Sequence, residues 1–219
     1  MIRGIKWNEL LIKGTNMSIS ATTRTTLQEN LDKYEGFLTH LYLDTKGKVT
    51  VGVGHLITNR NAMSGITMYK TQNKKITQAA TLQERLTEYD NITKLPWGKS
   101  HSAKSFKKHT TLVMKESDID ILLNHHIDNF YKELKNIYKK DKGYFDDFDN
   151  FDQKVQLALF DMIFNLGATK LVKSFPTFNT HIKAGDFVKA SKESHRLGIS
   201  DARNNYVEDL LKNIEKEAA

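Results

Sequence analysis

The chain has 219 residues, with no cysteine, 39% apolar and 27% charged residues, and a formal net charge of +7. This length favours one compact unit with a sizeable core. The lack of cysteine excludes disulfide bridges and thiol chemistry within the chain. No apolar run approaches a membrane span in length, because the richest one, Val155 to Leu166, is interrupted by Asp161.

Residues 1–24 are interpreted as an N-terminal extension of unclear role, followed by one domain over residues 25–219. The start of the chain is basic at Arg3, Lys6 and Lys13 but contains no continuous apolar segment. We therefore predict no signal peptide. Met17 is an alternative start of the protein.

A short helix is predicted to end at Glu35. Thr26-Leu27-Gln28-Glu29 has the pattern of a capping box, and apolar residues follow it at helical spacing. Gly36 is a typical helix stop. The pattern therefore places Glu35 on the last turn of the helix.

An antiparallel hairpin is predicted directly after this helix. Residues 41–43 and 48–54 are expected to be its strands, with a turn at residues 44–47. In the second strand three valines alternate with Thr50, Gly52 and Gly54, so Thr50 lies on the face opposite the valines. The two glycines leave that face nearly free of side chains, which predicts the floor of a cleft.

Glu35, Asp44 and Thr50 are the candidate catalytic residues, at the spacing E-x8-D-x5-T. Hydrolysis of a glycosidic bond needs one protonated carboxyl group as acid and one ionised carboxylate that activates water. Apolar residues after Glu35 predict a raised pKa and the role of acid. Asp44, in a polar turn, is predicted to be the base or an electrostatic stabiliser, and Thr50 to orient the water. Each of these elements is common alone, but their agreement over 21 residues is rarer.

The stretch from residue 62 to residue 111 is polar. Lys75 to Asp90 is predicted to be a helix, with a second capping box from Thr81 to Glu84. Leu95-Pro96-Trp97-Gly98 interrupts it, and a basic segment with lysines at 99, 104, 107 and 108 follows.

The rest of the chain is predicted to be helical. A long helix is expected to start with Ser117 as its N-cap and to carry one apolar stripe, formed by Ile119, Leu122, Leu123, His126, Ile127, Phe130, Leu134, Ile137 and Tyr138. Because His126 lies on this stripe, we predict a packed, hydrogen-bonded histidine rather than a ligand.

Two further helices follow. Residues 152–166 are apolar nearly all round, which predicts a buried central helix ending at Asn165-Leu166-Gly167. The last helix is predicted to run from Ser200, with Val207, Leu210, Leu211 and Ile214 on its apolar face.

The segment from Glu35 to His55 closely resembles the phage-type lysozymes, muramidases that hydrolyse bacterial peptidoglycan. The resemblance extends over residues 26–214, strongly in this segment, fairly after Ser117 and poorly between residues 62 and 111. It implies a lysozyme-like, mostly helical α+β fold. A small antiparallel sheet lobe (about 25–115, with an insertion within 62–111) would be joined by a long helix to a helical lobe (about 116–219).

The resemblance also implies substrate-binding residues and an inverting mechanism. His55 is the last residue of the catalytic segment, and Leu56 follows it. For His55 we expect a structural hydrogen-bond role near the cleft rather than proton transfer. Asn165-Leu166-Gly167 resembles a family motif whose amide lines the cleft, and Phe164 directly precedes it as a further candidate binding residue. Asn165 as a helix C-cap is an equal alternative. Ser174 lies nine residues after Asn165, as in many relatives, but the following Phe-Pro-Thr-Phe departs from the family pattern.

Arg203 matches a family arginine that pairs with the catalytic glutamate. Such a pair would lower the pKa of Glu35 and oppose the effect of burial. The sequence leaves open which effect is larger.

The sequence thus predicts a monomeric muramidase without metal or cofactor. It would cleave the beta-1,4 bond between N-acetylmuramic acid and N-acetylglucosamine. The excess of positive charge suits the anionic bacterial envelope. Synthesis in the bacterial cytoplasm and action in the periplasm or cell wall are expected, either as a phage endolysin or as a secreted antibacterial effector. An effector would imply an immunity protein as partner.

Two alternatives come from other classes. One is a lysozyme-fold module that binds peptidoglycan without cutting it, and the retained Glu35, Asp44 and Thr50 argue against it. The other is a basic nucleic-acid-binding protein. No recognition motif accompanies the lysine-rich segments, so we predict no nucleic-acid partner. The short apolar runs predict no membrane span.

Overall fold

The structure is a computed structural model that describes residues 19–73 and 75–214, apart from the side chain of Glu35. Most of the predicted extension 1–24 therefore lies outside the described residues. Within them the chain is a mixture of helices and two small antiparallel sheets, as expected for an α+β protein.

The first helix, α1 (Ala21–Glu35), begins earlier than predicted. Ser20 is its N-cap, and the Ser20 side chain accepts a hydrogen bond of 3.0 Å from the Thr23 N–H. The predicted capping box at residues 26–29 is wrong, because a serine six residues upstream of Thr26 already satisfies a free N–H group of the first turn. The predicted end is confirmed, since Gly36 has a φ of 77° and a ψ of 158°.

The first sheet has the order β1-β2-β3 and contains the predicted hairpin. Its strands are β1 (Leu38–Leu43), β2 (Val49–Gly52) and β3 (His55–Leu56). In the register, Tyr42 lies opposite Thr50, and Thr50 lies opposite Leu56. The strand β2 is shorter than predicted, because the chain turns into β3 after Gly52.

A second sheet, with the order β5-β4-β6, is formed by two strands of the polar stretch and one strand directly after it. It consists of β4 (Tyr69–Gln72), β5 (Lys75–Ala79) and β6 (Leu112–Val113). A 3-10 helix at Arg60–Gly65 precedes β4. The helix α2 (Leu82–Ile92) and a second 3-10 helix at Ala103–His109 lie between β5 and β6 in the chain.

The helix predicted from Lys75 to Asp90 is therefore wrong in its first part. Residues 75–79 form a strand, which pairs with β4. The capping box from Thr81 to Glu84 is confirmed, because each side chain bonds the backbone N–H of the other residue. This cap starts the helix at Leu82 and separates it from the strand.

The remaining helices are α3 (Glu116–Ile137), α4 (Gln153–Lys173), α5 (Pro176–Lys183), α6 (Phe187–Lys192) and α7 (Asp201–Lys212). The prediction of Ser117 as N-cap is wrong, since α3 already includes Glu116. Acidic side chains at Glu116 and Asp118 lie in the first turn, where they stabilise the positive end of the helix dipole.

The helix α4 is the centre of the helical part, as predicted. It packs against α1, α3, α5 and α7, and most of its first three turns is buried. Gly167 has a φ of 72° and a ψ of 159°, so the regular helix breaks there and a short helical segment follows. Within the described residues, α4 is the one helix whose length and composition would allow it to cross a membrane. Half of its most apolar stretch is buried inside the protein.

The helix α1 contacts the helices α3, α4 and α7. Its residues from Thr25 onward were predicted to belong to the sheet lobe. It packs against α4. The side chain of Arg24 forms an ion pair of 2.6 Å with Asp128 of α3. Asn30 donates a hydrogen bond of 2.7 Å to the Tyr206 hydroxyl of α7. Glu35 is thus at the end of a helix anchored in the helical part, directly before the first strand.

Candidate functional site

Asp44 is held in a hydrogen-bonded turn between β1 and β2. Its Oδ1 accepts hydrogen bonds of 2.8 Å from the backbone N–H groups of Lys46 and Lys48. The turn is closed by the Asp44 N–H, which donates to the Lys48 carbonyl at 2.9 Å. The second carboxylate oxygen, Oδ2, accepts no hydrogen bond from the described residues. This arrangement fixes the orientation of the carboxylate and leaves one oxygen for a ligand or a water.

Thr50 is less accessible than predicted. It is 4% exposed, and its hydroxyl donates a hydrogen bond of 3.1 Å to the Lys48 carbonyl. On the same face, a Cβ placed on Gly52 would lie 3.1 Å from a methyl group of Ile119. The prediction of an open cleft floor over Gly52 is therefore wrong, because the missing side chain lets α3 pack directly on β2.

The first turn of α7 lies against the end of α1. The Arg203 guanidinium is 5.5 Å from the ring centroid of Tyr34, the residue before Glu35. Arg203 Nε donates hydrogen bonds of 3.0 and 3.2 Å to the two carboxylate oxygens of Asp161. The resemblance implied that Arg203 lies near the glutamate, and the contact with Tyr34 places it beside that helix end. The side chain of Glu35 itself lies outside the described part of the structure.

Asp161 binds a second buried arginine that the sequence analysis did not single out. Arg196 Nη1 lies 2.5 Å from Asp161 Oδ1, and all three side chains of this group are nearly inaccessible to solvent. A signal was present in the sequence. An acidic residue in the most apolar helix of a protein needs a cationic partner, because an unpaired buried charge is very costly.

His55 meets His126 where β3 packs against α3. The His55 Nδ1 and His126 Nε2 atoms are 2.8 Å apart, so one ring donates a hydrogen bond to the other. Burial lowers the pKa of His55 to about 4, with a smaller contribution from His126. Burial also lowers the pKa of His126, together with the nearby His125. The prediction that His126 is a packed, hydrogen-bonded histidine is confirmed.

Phe164 joins this histidine pair from α4. Its ring centroid lies 6.4 Å from that of His126 and 5.6 Å from that of Phe130. His55 and Phe164 are thus brought into one cluster, formed by His55, His126, Phe130 and Phe164. This aromatic cluster lies where the first sheet meets α3 and α4.

The other predicted binding residues, Leu56, Asn165 and Ser174, lie at separate positions. Leu56 is exposed opposite Thr50. Asn165 is half-buried two residues before the break at Gly167. Ser174 is the exposed C-cap of α4, where its N–H donates to the Lys170 carbonyl. No hydrogen bond or ring contact within the described residues links Ser174 to the aromatic cluster.

A pocket lies away from all these residues, between β4, α2 and the segment before β6. Glu88 is buried at this place, and its carboxylate accepts hydrogen bonds from the Thr111 hydroxyl and from the N–H groups of Thr111 and Leu112. These bonds give Glu88 a structural role in attaching β6 to α2. Over residues 19–73 and 75–214, no cluster of three or more histidine, aspartate or glutamate side chains has the arrangement of a metal site.

No protein-family model matches the chain, and the search of curated proteins found no match. The candidate site therefore rests on the residues of the chain itself. These are the end of α1, the Asp44 turn, the buried arginines and the aromatic cluster.

Proposed function

We propose that the chain is a peptidoglycan hydrolase with a lysozyme-like fold. It cleaves the beta-1,4 bond between N-acetylmuramic acid and N-acetylglucosamine. The observation that supports this proposal is the local structure around the two carboxyl residues. A helix ends at Glu35, one bent strand follows, and a hydrogen-bonded turn then presents Asp44.

The bend in β1 shortens the path between the two residues. Leu38 lies opposite Gly52 and Tyr42 lies opposite Thr50, so four steps on β1 match two steps on β2. Extra residues of this kind bend a strand and increase its twist. A straight strand would separate its ends by about 3.3 Å for each residue. The irregular strand therefore brings the end of α1 closer to the Asp44 turn than a regular strand would.

In the proposed mechanism each of the two carboxyl groups transfers one proton. Glu35 donates a proton to the glycosidic oxygen as the bond to the anomeric carbon breaks. Asp44 accepts a proton from the water that attacks the anomeric carbon from the opposite face, which inverts its configuration. The free Oδ2 of Asp44 is the atom that would receive this proton. Asp161 binds Arg203 and partly offsets the positive charge beside the end of α1.

The test is digestion of purified peptidoglycan, with the soluble products identified by mass spectrometry. The unmodified protein should release muropeptides that end in reducing N-acetylmuramic acid. Glu35→Gln and Asp44→Asn should each reduce the rate by about 100-fold or more, since each removes a proton-transfer group. Glu29→Gln, at an exposed position on the same helix, and Asp141→Asn, on an exposed turn, are the matched controls.

Other products would change the conclusion in defined ways. Reducing N-acetylglucosamine ends would keep the glycosidase class but move the scissile bond. Unchanged rates for Glu35→Gln would contradict its role as acid.

One observation favours the non-catalytic alternative. The Thr50 hydroxyl is buried and bonded to the Lys48 carbonyl, whereas a water-orienting group must reach the water. If the unmodified protein sediments with peptidoglycan but releases no fragments, the chain is a peptidoglycan-binding module.

A further inference from the structure

The indole ring of Trp97 covers the turn that carries Asp44. A Cβ placed on Gly47 would lie 2.6 Å from Trp97 Cε2 and 2.8 Å from both Cδ2 and Nε1. Because an atom of the ring junction is as close as the outer Nε1, Gly47 approaches the flat face of the indole rather than its edge. The turn thus packs on one face of the tryptophan, and only glycine leaves room for this contact.

The opposite side of Trp97 is open to solvent. Trp97 is 53% exposed, although one face is covered by Gly47. An indole that is fixed on one face and open on the other is a rigid apolar platform with an N–H donor at its edge. This platform directly adjoins the turn of the candidate catalytic Asp44.

The segment around Trp97 is anchored on both sides. Before it, Leu95 packs against the hydrophobic core. After it, the Ala103 carbonyl is hydrogen-bonded to Nε2 of the buried His40 on β1 at 3.1 Å. Phe106, in the 3-10 helix that follows, is also buried. Trp97 is therefore held in place before any ligand binds, which reduces the entropy lost on binding.

We propose that Trp97 forms a sugar-binding subsite beside Asp44, on which a pyranose ring of an N-acetylated glycan stacks. One face of a pyranose ring carries C–H groups and is apolar, so it can cover the exposed indole face while its hydroxyl and acetamido groups remain hydrated. This inference rests on the proposed function for its substrate class. With this subsite, the polar stretch at residues 62–111 contributes to the glycan-binding surface.

The experiment uses the tryptophan content of the chain. The sequence has two tryptophans, Trp7 and Trp97, so Trp7→Phe leaves Trp97 as the only tryptophan fluorophore. The full chain with Trp7→Phe and Glu35→Gln is titrated with an oligomer of four beta-1,4-linked N-acetylglucosamine units. We expect saturable quenching or a blue shift of the Trp97 emission, because the sugar covers the exposed ring.

The affinity is then compared among variants by calorimetry. Trp97→Ala should weaken binding of the oligomer by about 5- to 10-fold, as expected for loss of one stacking contact. Trp97→Tyr should restore most of it, because tyrosine keeps an aromatic face. Leu197→Ala, at a highly exposed apolar position, should not change it.

Each result separates this inference from the proposed function. If Trp97→Ala binds the oligomer as before and digests peptidoglycan at the unmodified rate, the subsite is wrong and the hydrolase proposal stands. If Trp97→Ala only lowers the melting temperature, Trp97 clamps the turn and the subsite is again wrong. If Trp97 binds the oligomer in a protein that releases no fragments, the subsite stands and hydrolysis is wrong.

Discussion

Asp161 places a negative charge inside the central helix, where two arginines share it. Such a group gains strong electrostatic attraction but loses the hydration of every charge in it. Its role is positional as well as energetic, because it links α4 to α7 and holds Arg203 beside the end of α1.

Replacing Asp161 should destabilise the protein strongly. Asp161→Ala removes the shared carboxylate from two buried guanidinium groups, and we expect a loss of about 3–5 kcal/mol in the free energy of unfolding. Urea denaturation measures this difference. The control is Asp90→Ala, which removes the exposed Arg60–Asp90 ion pair. The urea midpoint of this variant should be close to that of the unmodified protein. Equal midpoints for the two variants would contradict a structural role for Asp161.

Because of the His55–His126 pair, we expect the free energy of unfolding to decrease in mild acid. The pKa of His55 is about 4 in the folded protein and about 6.5 in an unfolded chain. Between these values the unfolded chain binds more protons, so stability falls as the pH decreases from about 6.5 towards 4. Allowing for partial exposure to solvent, the contribution of His55 is about 1–2 kcal/mol.

The measurement is the free energy of unfolding at several pH values between about 4.5 and 7.5, the range in which histidines titrate. His55→Gln should reduce the slope. His195→Gln, at an exposed position, should retain it. A slope that is the same in all three proteins would show that the pair does not control this pH dependence.

At the scale of single elements, helix ends position the candidate site. Ser20 starts α1, and Gly36 ends it at Glu35. Gly167 ends the regular part of α4 just after Phe164 and Asn165. Both glycines combine a φ above 70° with a ψ near 160°, a conformation that is almost restricted to glycine.

Gly167→Ala should therefore destabilise α4 through its backbone. No atom of the surrounding elements lies within 4 Å of a Cβ placed on Gly167, so the expected cost of about 1–3 kcal/mol comes from the backbone conformation. Gly65→Ala is a suitable control, because Gly65 also has free space around its Cβ position but no positive φ. Thermal unfolding followed by circular dichroism compares the two variants. Equal melting temperatures for the two variants would contradict backbone strain at position 167.

At the scale of the whole molecule, the net charge of +7 should govern binding to peptidoglycan, the proposed substrate. Long-range attraction between a basic protein and an anionic polymer is screened by salt, with a Debye length of about 10 Å at 0.1 M and about 3 Å at 1 M. The proposed binding of an uncharged oligosaccharide to Trp97 would depend on apolar contact and should therefore change little with salt.

The fraction of protein that sediments with peptidoglycan should therefore fall when the salt concentration is raised from about 0.1 M to about 1 M. Over the same range, the affinity for the oligomer of N-acetylglucosamine should change little. These two assays compare charge attraction and stacking in one protein. Sedimentation that does not depend on salt would contradict attraction by net charge.

Features that depend on neighbouring residues were predictable from the sequence. These are the end of α1, the Asp44 turn, the capping box at Thr81, the apolar stripe of α3 and the burial of α4. Each depends on a hydrogen bond over a few residues or on the repeat of apolar side chains along one element. The exceptions show how weak such signals are, since Ser20 rather than Thr26 starts α1, and residues 75–79 pair with β4 instead of forming a helix.

The contacts that define the candidate site were decided only by the tertiary structure. His55 and His126 are 71 positions apart in the chain, and Arg196 and Asp161 are 35 apart. The contact of Trp97 with Gly47 and that of Ile119 with Gly52 likewise join separate elements. No periodicity or local motif specifies such pairs. They exist because the packing of β3 on α3, of α7 on α4, and of the segment after α2 on the Asp44 turn brings their side chains together.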